Sequence, residues 1–190
     1  MKIIPPLLTV LLSVAFFLTG CQSPKAGSPS TSGAMQSTRN NCYSLLHQLL
    51  DEQKDVSLLR FIKREDSKVK ALVNRIAANS AAGAKMLEEF AAHDPSINLN
   101  DIELPQGEVA TREAIASTKK KELLGQTGYE FELTLLLTQT EALSYGWHLA
   151  RVAGKNEPQP DRARALAGVS ADMEKLYHEA FVMLLSKNDL

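Results

Sequence analysis

The sequence predicts an all-α domain, built as an antiparallel bundle of four main helices with one extra shorter helix. Two observations support this fold class. From about residue 41 onward, apolar residues recur at the spacing of a helix face, and no segment alternates as a strand does. Prolines and glycines then separate most of the helical segments from one another. About 150 residues form this region, enough for one hydrophobic core.

The first two helices form a predicted hairpin. Asn41 is the expected cap of the first helix, which continues to about Arg64. Asp66 or Ser67 is expected to cap the second helix, and Pro95 ends it. Each helix has an apolar stripe for the core: Leu45, Leu46, Leu49, Leu50, Val56, Leu59, Phe61 and Ile62 in the first, and Val69, Leu72, Val73, Ile76, Ala84, Leu87 and Phe90 in the second.

Three further helices follow a long connection, residues 94–107, whose apolar side chains predict that it lies along the bundle. Gly125 breaks the shorter helix, and a capping-box pattern from Thr127 to Glu130 starts the next one. Gly154 is its expected stop. The predicted bounds are about 108–124 for the shorter helix, 127–153 for the fourth and 161–186 for the last.

Two segments precede the bundle. Residues 1–20 contain one lysine followed by an apolar run that is too short for a comfortable membrane span, and this pattern is typical of a signal peptide. Residues 22–38 are rich in Ser, Pro, Gly and Ala, which predicts a flexible linker spanning about 20–25 Å on average. The expected organisation is therefore a signal peptide (1–20), Cys21 with its linker (21–38) and the helical domain (39–190).

The junction Leu18-Thr19-Gly20-Cys21 resembles the lipobox of bacterial lipoprotein precursors. The resemblance implies that a signal peptidase recognises Leu18, Thr19 and Gly20, that cleavage precedes Cys21, and that Cys21 carries lipid. Two or three acyl chains on one residue give stable membrane anchoring. Gln22 follows the cysteine where an aspartate would favour retention at the inner membrane. In a Gram-negative cell this implies the outer membrane, with the domain facing the periplasm.

Charge and cysteine content exclude several classes of partner and site. The chain has 21 basic and 22 acidic residues, and removal of Lys2 with the signal peptide leaves 20 and 22. The densest basic run is Lys119 to Lys121, so no nucleic-acid partner is predicted. With Cys21 lipidated, Cys42 has no intrachain partner for a disulfide. Two distant cysteines also give no closed zinc site.

A polar pair interrupts the apolar side of the fourth helix. Glu132 and Gln139 are seven residues apart and share one face. Their expected partners are Gln53 on the first helix and Ser80 on the second, because unpaired polar groups are costly to bury. Glu132, Gln139 and Gln53 thus form a candidate pocket, polar or linked to a metal. The alternatives are a polar belt that fixes helix register, or a Glu132 that reaches solvent.

The fourth helix also resembles a known family. Gly128-x-x-Phe131-Glu132, with Leu136 and Gln139, is similar to the third main helix of a family of uncharacterised bacterial proteins, described as predicted outer-membrane proteins with a ferritin-like fold. Residues 56–73 are similar to that family's first hairpin. The resemblance implies a ferritin-like four-helix bundle on the periplasmic side of the envelope, and no assigned activity.

This chain departs from the family at positions that matter for metal binding. The family commonly carries a histidine in its second helix and another three residues after the glutamine, where Asn79 or Ser80 and Ala142 stand here. A ferritin-like di-iron site would need Glu-x-x-His pairs. No glutamate stands three residues before any of the histidines, which are His47, His93, His148 and His178. No metal, cofactor or catalytic residue is therefore predicted.

The sequence thus favours a non-enzymatic envelope lipoprotein, whose bundle acts as a binding or structural module. Its expected partners are the membrane, through lipidated Cys21, and an envelope protein of unknown identity. Two alternatives stay open: a ferritin-like metal- or small-ligand-binding protein, and an enzyme whose site has no recognisable pattern.

Overall fold

The computed structural model of the protein describes residues 31–57 and 66–188, which contain five helices and no strand. The helices are α1 (Thr31–Lys54), α2 (Ser67–His93), α3 (Gln106–Gly125), α4 (Gly128–Lys155) and α5 (Pro160–Asn188). The predicted fold class, a helical bundle with one shorter extra helix, is confirmed. None of the helices in the described ranges combines the length and apolarity needed to cross a bilayer.

Four helices form a closed ring in which each contacts two neighbours. Helix α4 packs against α5 and α1, and α2 packs against α1 and α5. Helix α3 lies outside this ring against α4 and buries none of its own residues. Buried apolar side chains from all four ring helices fill the centre; the largest include Tyr43, Leu46, Leu50, Leu72, Ile76, Leu87, Phe131, Leu135, Leu136, Leu143, Leu166 and Met173.

The antiparallel register of α4 and α5 is fixed at two points along their length. Glu132 pairs with Lys187 at one end. Fourteen residues further along each helix, Met173 lies directly over Gly146. The matching offsets show that α4 and α5 run alongside each other without slippage. A short turn at residues 156–159 joins the two helices at the other end.

The first helix departs from its predicted bounds at both ends. It begins at Thr31, ten residues before the predicted cap, so residues 31–38 are helical where a flexible linker was expected. Residues 33–38 are exposed, and Arg39 is the first buried residue in the described chain. Tertiary contacts explain the early start, because Ser37 and Asn41 both bind Glu103 in the connection after α2.

Helix α1 ends at Lys54, ten residues before its predicted end at about Arg64. Three predicted core residues, Leu59, Phe61 and Ile62, lie outside the described residues. The apolar residues of the 94–107 connection pack on the bundle as expected: Ile97 is buried, and Leu99, Ile102 and Leu104 are half-buried against the core.

Three predicted helix signals, two at helix starts and one at a helix end, have different outcomes. Asp66 caps α2, with its side chain accepting a hydrogen bond from the Lys68 backbone N–H at 2.8 Å. Thr127 is the N-cap of α4, so the predicted start is confirmed, but the predicted capping box is wrong because no side-chain cap bond forms there. Gly128 adopts a φ of 59°, which directs the first turn of α4 away from the geometry that such a box requires. Gly154 does not stop α4, which continues to Lys155.

Gly146 allows α4, α5 and α1 to approach one another closely. A Cβ atom at this position would lie 2.2 Å from Met173 Cε and 2.9 Å from Leu49 Cδ2. Met173 and Leu49 must therefore move within a packed core when Gly146 becomes Ala, and overpacking a core costs about 1–3 kcal/mol. We expect Gly146→Ala to be less stable than the gain in helix propensity alone would make it.

Gly168 in α5 is the matched control, because a Cβ atom there would meet nothing within 4 Å. Gly168→Ala should raise stability by up to about 1 kcal/mol through helix propensity alone. Because the gain in helix propensity is common to both variants, urea unfolding followed by circular dichroism should separate them by the overpacking cost alone, about 1–3 kcal/mol. Equal stabilities would contradict the close approach at Gly146.

Candidate functional site

The predicted polar pocket begins with Glu132, which is 8% exposed in the first turns of α4. One carboxylate oxygen accepts a hydrogen bond from the backbone N–H of Asp66, and the other forms an ion pair with Lys187. Glu132 therefore joins the start of α2 to the end of α5. Its charge is satisfied by these two groups, so it serves as a connection between helices.

The other two residues of the predicted pocket, Gln139 and Gln53, have side-chain oxygens without a hydrogen-bond partner. Gln139 is 2% exposed on the core side of α4, and its side-chain oxygen is buried without a hydrogen-bond partner. The side-chain oxygen of Gln53, on α1, is also buried and unpartnered. Ser80 is buried on α2, as expected for a residue facing the same core. The structure therefore places Gln139 and Ser80 in the core, whereas Gln53 is half-buried with its side-chain oxygen covered.

The predicted trio does not form one hydrogen-bonded cluster, since the Glu132 oxygens bind Asp66 and Lys187 instead. Buried amide oxygens normally have a partner, and an ordered water or a small hydrogen-bond donor would supply one here. Across residues 31–57 and 66–188, no three His, Cys, Asp or Glu side chains converge in a way that could hold a metal ion. The arrangement thus offers neutral oxygen acceptors rather than a charged site.

Sequence reasoning missed a larger buried polar cluster centred on Glu157, in the turn between α4 and α5. The Glu157 side chain has no exposed surface. Its Oε2 accepts a 2.7 Å hydrogen bond from the Tyr43 hydroxyl. Its Oε1 accepts from Arg162 at 3.0 and 2.9 Å and from the Gln159 backbone N–H at 2.9 Å. Arg39 adds a second cation, with Nη1 4.0 Å from Oε2.

Two arginines extend this cluster to the end of α2. Arg162 pairs with Asp94 at 2.8 Å. Arg39 donates to the side chain of Ser96 at 3.0 Å, and Asn40 donates to the Ser96 carbonyl at 2.8 Å. The cluster therefore joins α1, the start of the α2–α3 connection and the α4–α5 turn. We call these residues, Arg39, Tyr43, Asp94, Glu157 and Arg162, the Glu157 cluster.

The electrostatics of the Glu157 cluster indicate a structural role. Burial, together with the hydrogen bond to Glu157, raises the pKa of the Tyr43 hydroxyl, which therefore stays protonated as a donor. Hydrogen bonds from Ser96, and then the Arg162 charge, lower the pKa of Asp94 to about 2. The Tyr43 hydroxyl and the Asp94 carboxylate are therefore each held in one charge state, and the groups of the cluster are bonded to one another. Burial also raises the pKa of the Cys42 thiol nearby on α1, which makes it a poor nucleophile.

An apolar groove of about 540 Å³ runs between α4 and α5 on the outside of the bundle. We call it the α4–α5 groove; it is lined by Leu137, Thr140, Glu141, Ser144, Tyr145, His148, Tyr177, Phe181 and Leu184. The rings of Tyr177 and Phe181 stack in it, with centroids 6.0 Å apart. Two of its lining side chains, Leu137 and Phe181, are large, apolar and exposed. Near the same end of α4 and α5, but not in the groove lining, three more large side chains are exposed: Tyr129, Val182 and Leu185. The sequence signal for this surface was the run of six apolar residues from Ala180 to Leu185.

Comparison with known proteins adds information on the fold. No protein-family model and no curated protein sequence matches the chain. A crystal structure of a DUF305 protein from Streptomyces coelicolor, described as secreted, matches with a TM-score of 0.63 and 17% sequence identity. The match covers 81% of this chain and 94% of that one. The likeness supports the predicted ferritin-like helical bundle. The lipobox residues, Leu18, Thr19, Gly20 and Cys21, lie outside the described residues.

Glu157→Gln tests the buried cluster. The substitution removes the carboxylate and leaves two buried guanidinium groups short of a counter-charge, which should lower the free energy of unfolding by about 3 kcal/mol. Asp161→Asn is the control, because Asp161 pairs with Arg164 at the surface, where 94% and 77% of the two side chains are exposed. A surface pair contributes about 0–1 kcal/mol. Denaturant unfolding that finds equal losses would contradict the role of Glu157.

Acid should weaken the same cluster through Asp94. Its pKa is about 2 in the folded protein, below the ordinary value of 3.8. The stability that this difference provides is present above about pH 4 and is lost as the pH falls towards 2. Thermal unfolding between pH 5 and pH 2.5 should show a smaller fall in Tm for Asp94→Asn than for the parent chain. Parallel pH profiles would contradict the assignment.

Proposed function

We propose that this protein is a lipid-anchored envelope protein, which displays its helical bundle at a membrane surface as a binding or structural module. The observation that carries the proposal is the junction Leu18-Thr19-Gly20-Cys21, at the end of a short apolar segment. Lipid on the Cys21 sulfur would hold the mature chain at the bilayer. In a Gram-negative cell, the anchor would lie in the outer membrane and the bundle in the periplasm.

The position of α1 is compatible with such an anchor. Its exposed first turns, residues 33–38, extend the end of the bundle that contains the Glu157 cluster. Nine residues, 22–30, separate Cys21 from the start of α1 at Thr31, so the covalent reach from Cys21 to Thr31 is at most about 36 Å. The anchor would therefore attach at one defined end of the bundle. The contacts of Arg39 and Asn40 with Ser96 connect that end to the folded core.

The opposite end of the bundle carries the surface that suits a binding role. Glu132 in α4 lies 25 residues before Glu157, which stands just after the end of that helix. At the helical rise per residue, this is a distance of about 37 Å. The exposed apolar side chains of α5, Phe181, Val182 and Leu185, lie near the Glu132 end. An anchored bundle would thus present its apolar end away from the lipid. The description of the similar Streptomyces protein as secreted also supports a place outside the cytoplasm.

Cys21→Ser tests the anchor. The substitution removes the sulfur that would accept lipid, so radioactive palmitate should label the parent chain and not the variant. The variant should also leave the membrane fraction. Cys42→Ala is the control, because Cys42 is a buried free cysteine on α1 and its loss should leave labelling unchanged. A Cys21→Ser chain that is still labelled and membrane-bound would contradict the proposal.

A further inference from the structure

We propose that α3 is a strap that opens and unwinds by itself, while the four-helix ring beneath it stays folded. Helix α3 (Gln106–Gly125) buries none of its 20 residues, whereas α2 buries nine and α4 buries eleven. A region opens locally at low cost when it has few buried apolar contacts. Opening of α3 would uncover one side of α4 and leave the core of the bundle intact.

The topology of the ring explains why α3 is present without a share of the core. Helices α2 and α4 run in the same direction, because each begins where Asp66 binds Glu132 and ends at the Glu157 cluster. Between His93 and Gly128 the chain must therefore return along the length of the bundle. A helix of 20 residues covers about 30 Å of that distance. Helix α3 is thus a connection laid on the bundle, and the ring is closed without it.

The contacts that hold α3 on α4 are mostly polar. Arg112 donates a 2.8 Å hydrogen bond to the Tyr145 hydroxyl, and its guanidinium lies 4.9 Å from the centroid of the same ring. Seven residues further along α3, Lys119 lies 4.0 Å from Glu141 of α4. Leu123 is the half-buried apolar side chain by which α3 packs against the core. Partly exposed polar contacts are weak, because water replaces them when they break.

Helix α3 would lose its helical structure once these contacts break. It contains several poor helix formers: Gly107, Val109, Thr111, Ile115 and Thr118. Packing supplies most of the stability of a helix in a protein, and such a helix is marginal in water when it is isolated. Release from α4 should therefore also break the backbone hydrogen bonds of α3. Exchange of its amide hydrogens with solvent then reports the opening.

The side chains that α3 holds belong to a larger surface. Tyr145 and Glu141 also line the α4–α5 groove. Opening of α3 would release both side chains and widen the groove on its α4 side. The strap would thus control how much of this surface is available. This inference concerns the folded bundle and does not depend on lipid at Cys21.

Hydrogen exchange of the full chain in detergent solution, followed by mass spectrometry, tests the strap. Peptides from α3 should exchange on the order of 100-fold faster than peptides from α4 and α5. Low concentrations of urea should change the α3 rates little, because a local opening exposes little surface. Equal rates in the three helices, or α3 rates that rise with urea as steeply as those of α4, would overturn the proposal.

Tyr145→Phe tests the contact that holds the strap. The substitution removes the hydroxyl that accepts from Arg112 and keeps the ring, so α3 should exchange about fivefold faster while α4 and α5 are unchanged. Tyr129→Phe is the matched control, because Tyr129 is also on α4 but its hydroxyl donates to the Lys187 carbonyl on α5. It should leave the α3 rates as they are. Unchanged α3 rates in Tyr145→Phe, or the same increase in both variants, would overturn the proposal.

Discussion

The antiparallel pairing of α4 with α5 is the contact on which the rest of the structure depends. A carboxylate fixes it at each end: Glu132 binds Lys187 where α4 begins, and Glu157 binds Arg162 at the turn between the helices. The same two carboxylates also reach the other pair of helices, through Asp66 on one side and Tyr43 on the other. The register of the whole ring, and of the groove outside it, follows from these two positions.

Buried polar groups specify this bundle at some cost in stability. A buried ion pair is weak evidence of net stabilisation, because desolvation opposes the Coulombic gain. The Glu157 cluster offsets the desolvation cost because each of its groups is bonded to another. It also joins α1, the helix that follows Cys21 in the chain, to the core. Gln139 has no such compensation, since its oxygen is buried without a partner. In both cases burial of a polar group costs desolvation energy, and only in the Glu157 cluster do bonds to other groups offset that cost.

Helix periodicity was sufficient to predict the fold class, because four amphipathic stripes need one common core. It could not predict where α1 begins, since residues 31–38 have a linker composition and depend on contacts with residues more than sixty positions away, such as Glu103. The Glu157 cluster was missed for the same reason. Glu132 and Gln139 were recognised as buried because their helix face is local, whereas the partners of Glu132 are set by the tertiary fold.

The proposed role joins these features into one arrangement, in which the anchor lies at the Glu157 end and the apolar groove opens towards the other.

The direct test of the anchor is the intact mass of the chain extracted from membranes. The proposal predicts a chain that begins at Cys21 and carries diacylglyceryl on that residue, with or without a further acyl group. A chain that retains residues 1–20, or that has an unmodified Cys21, would contradict it.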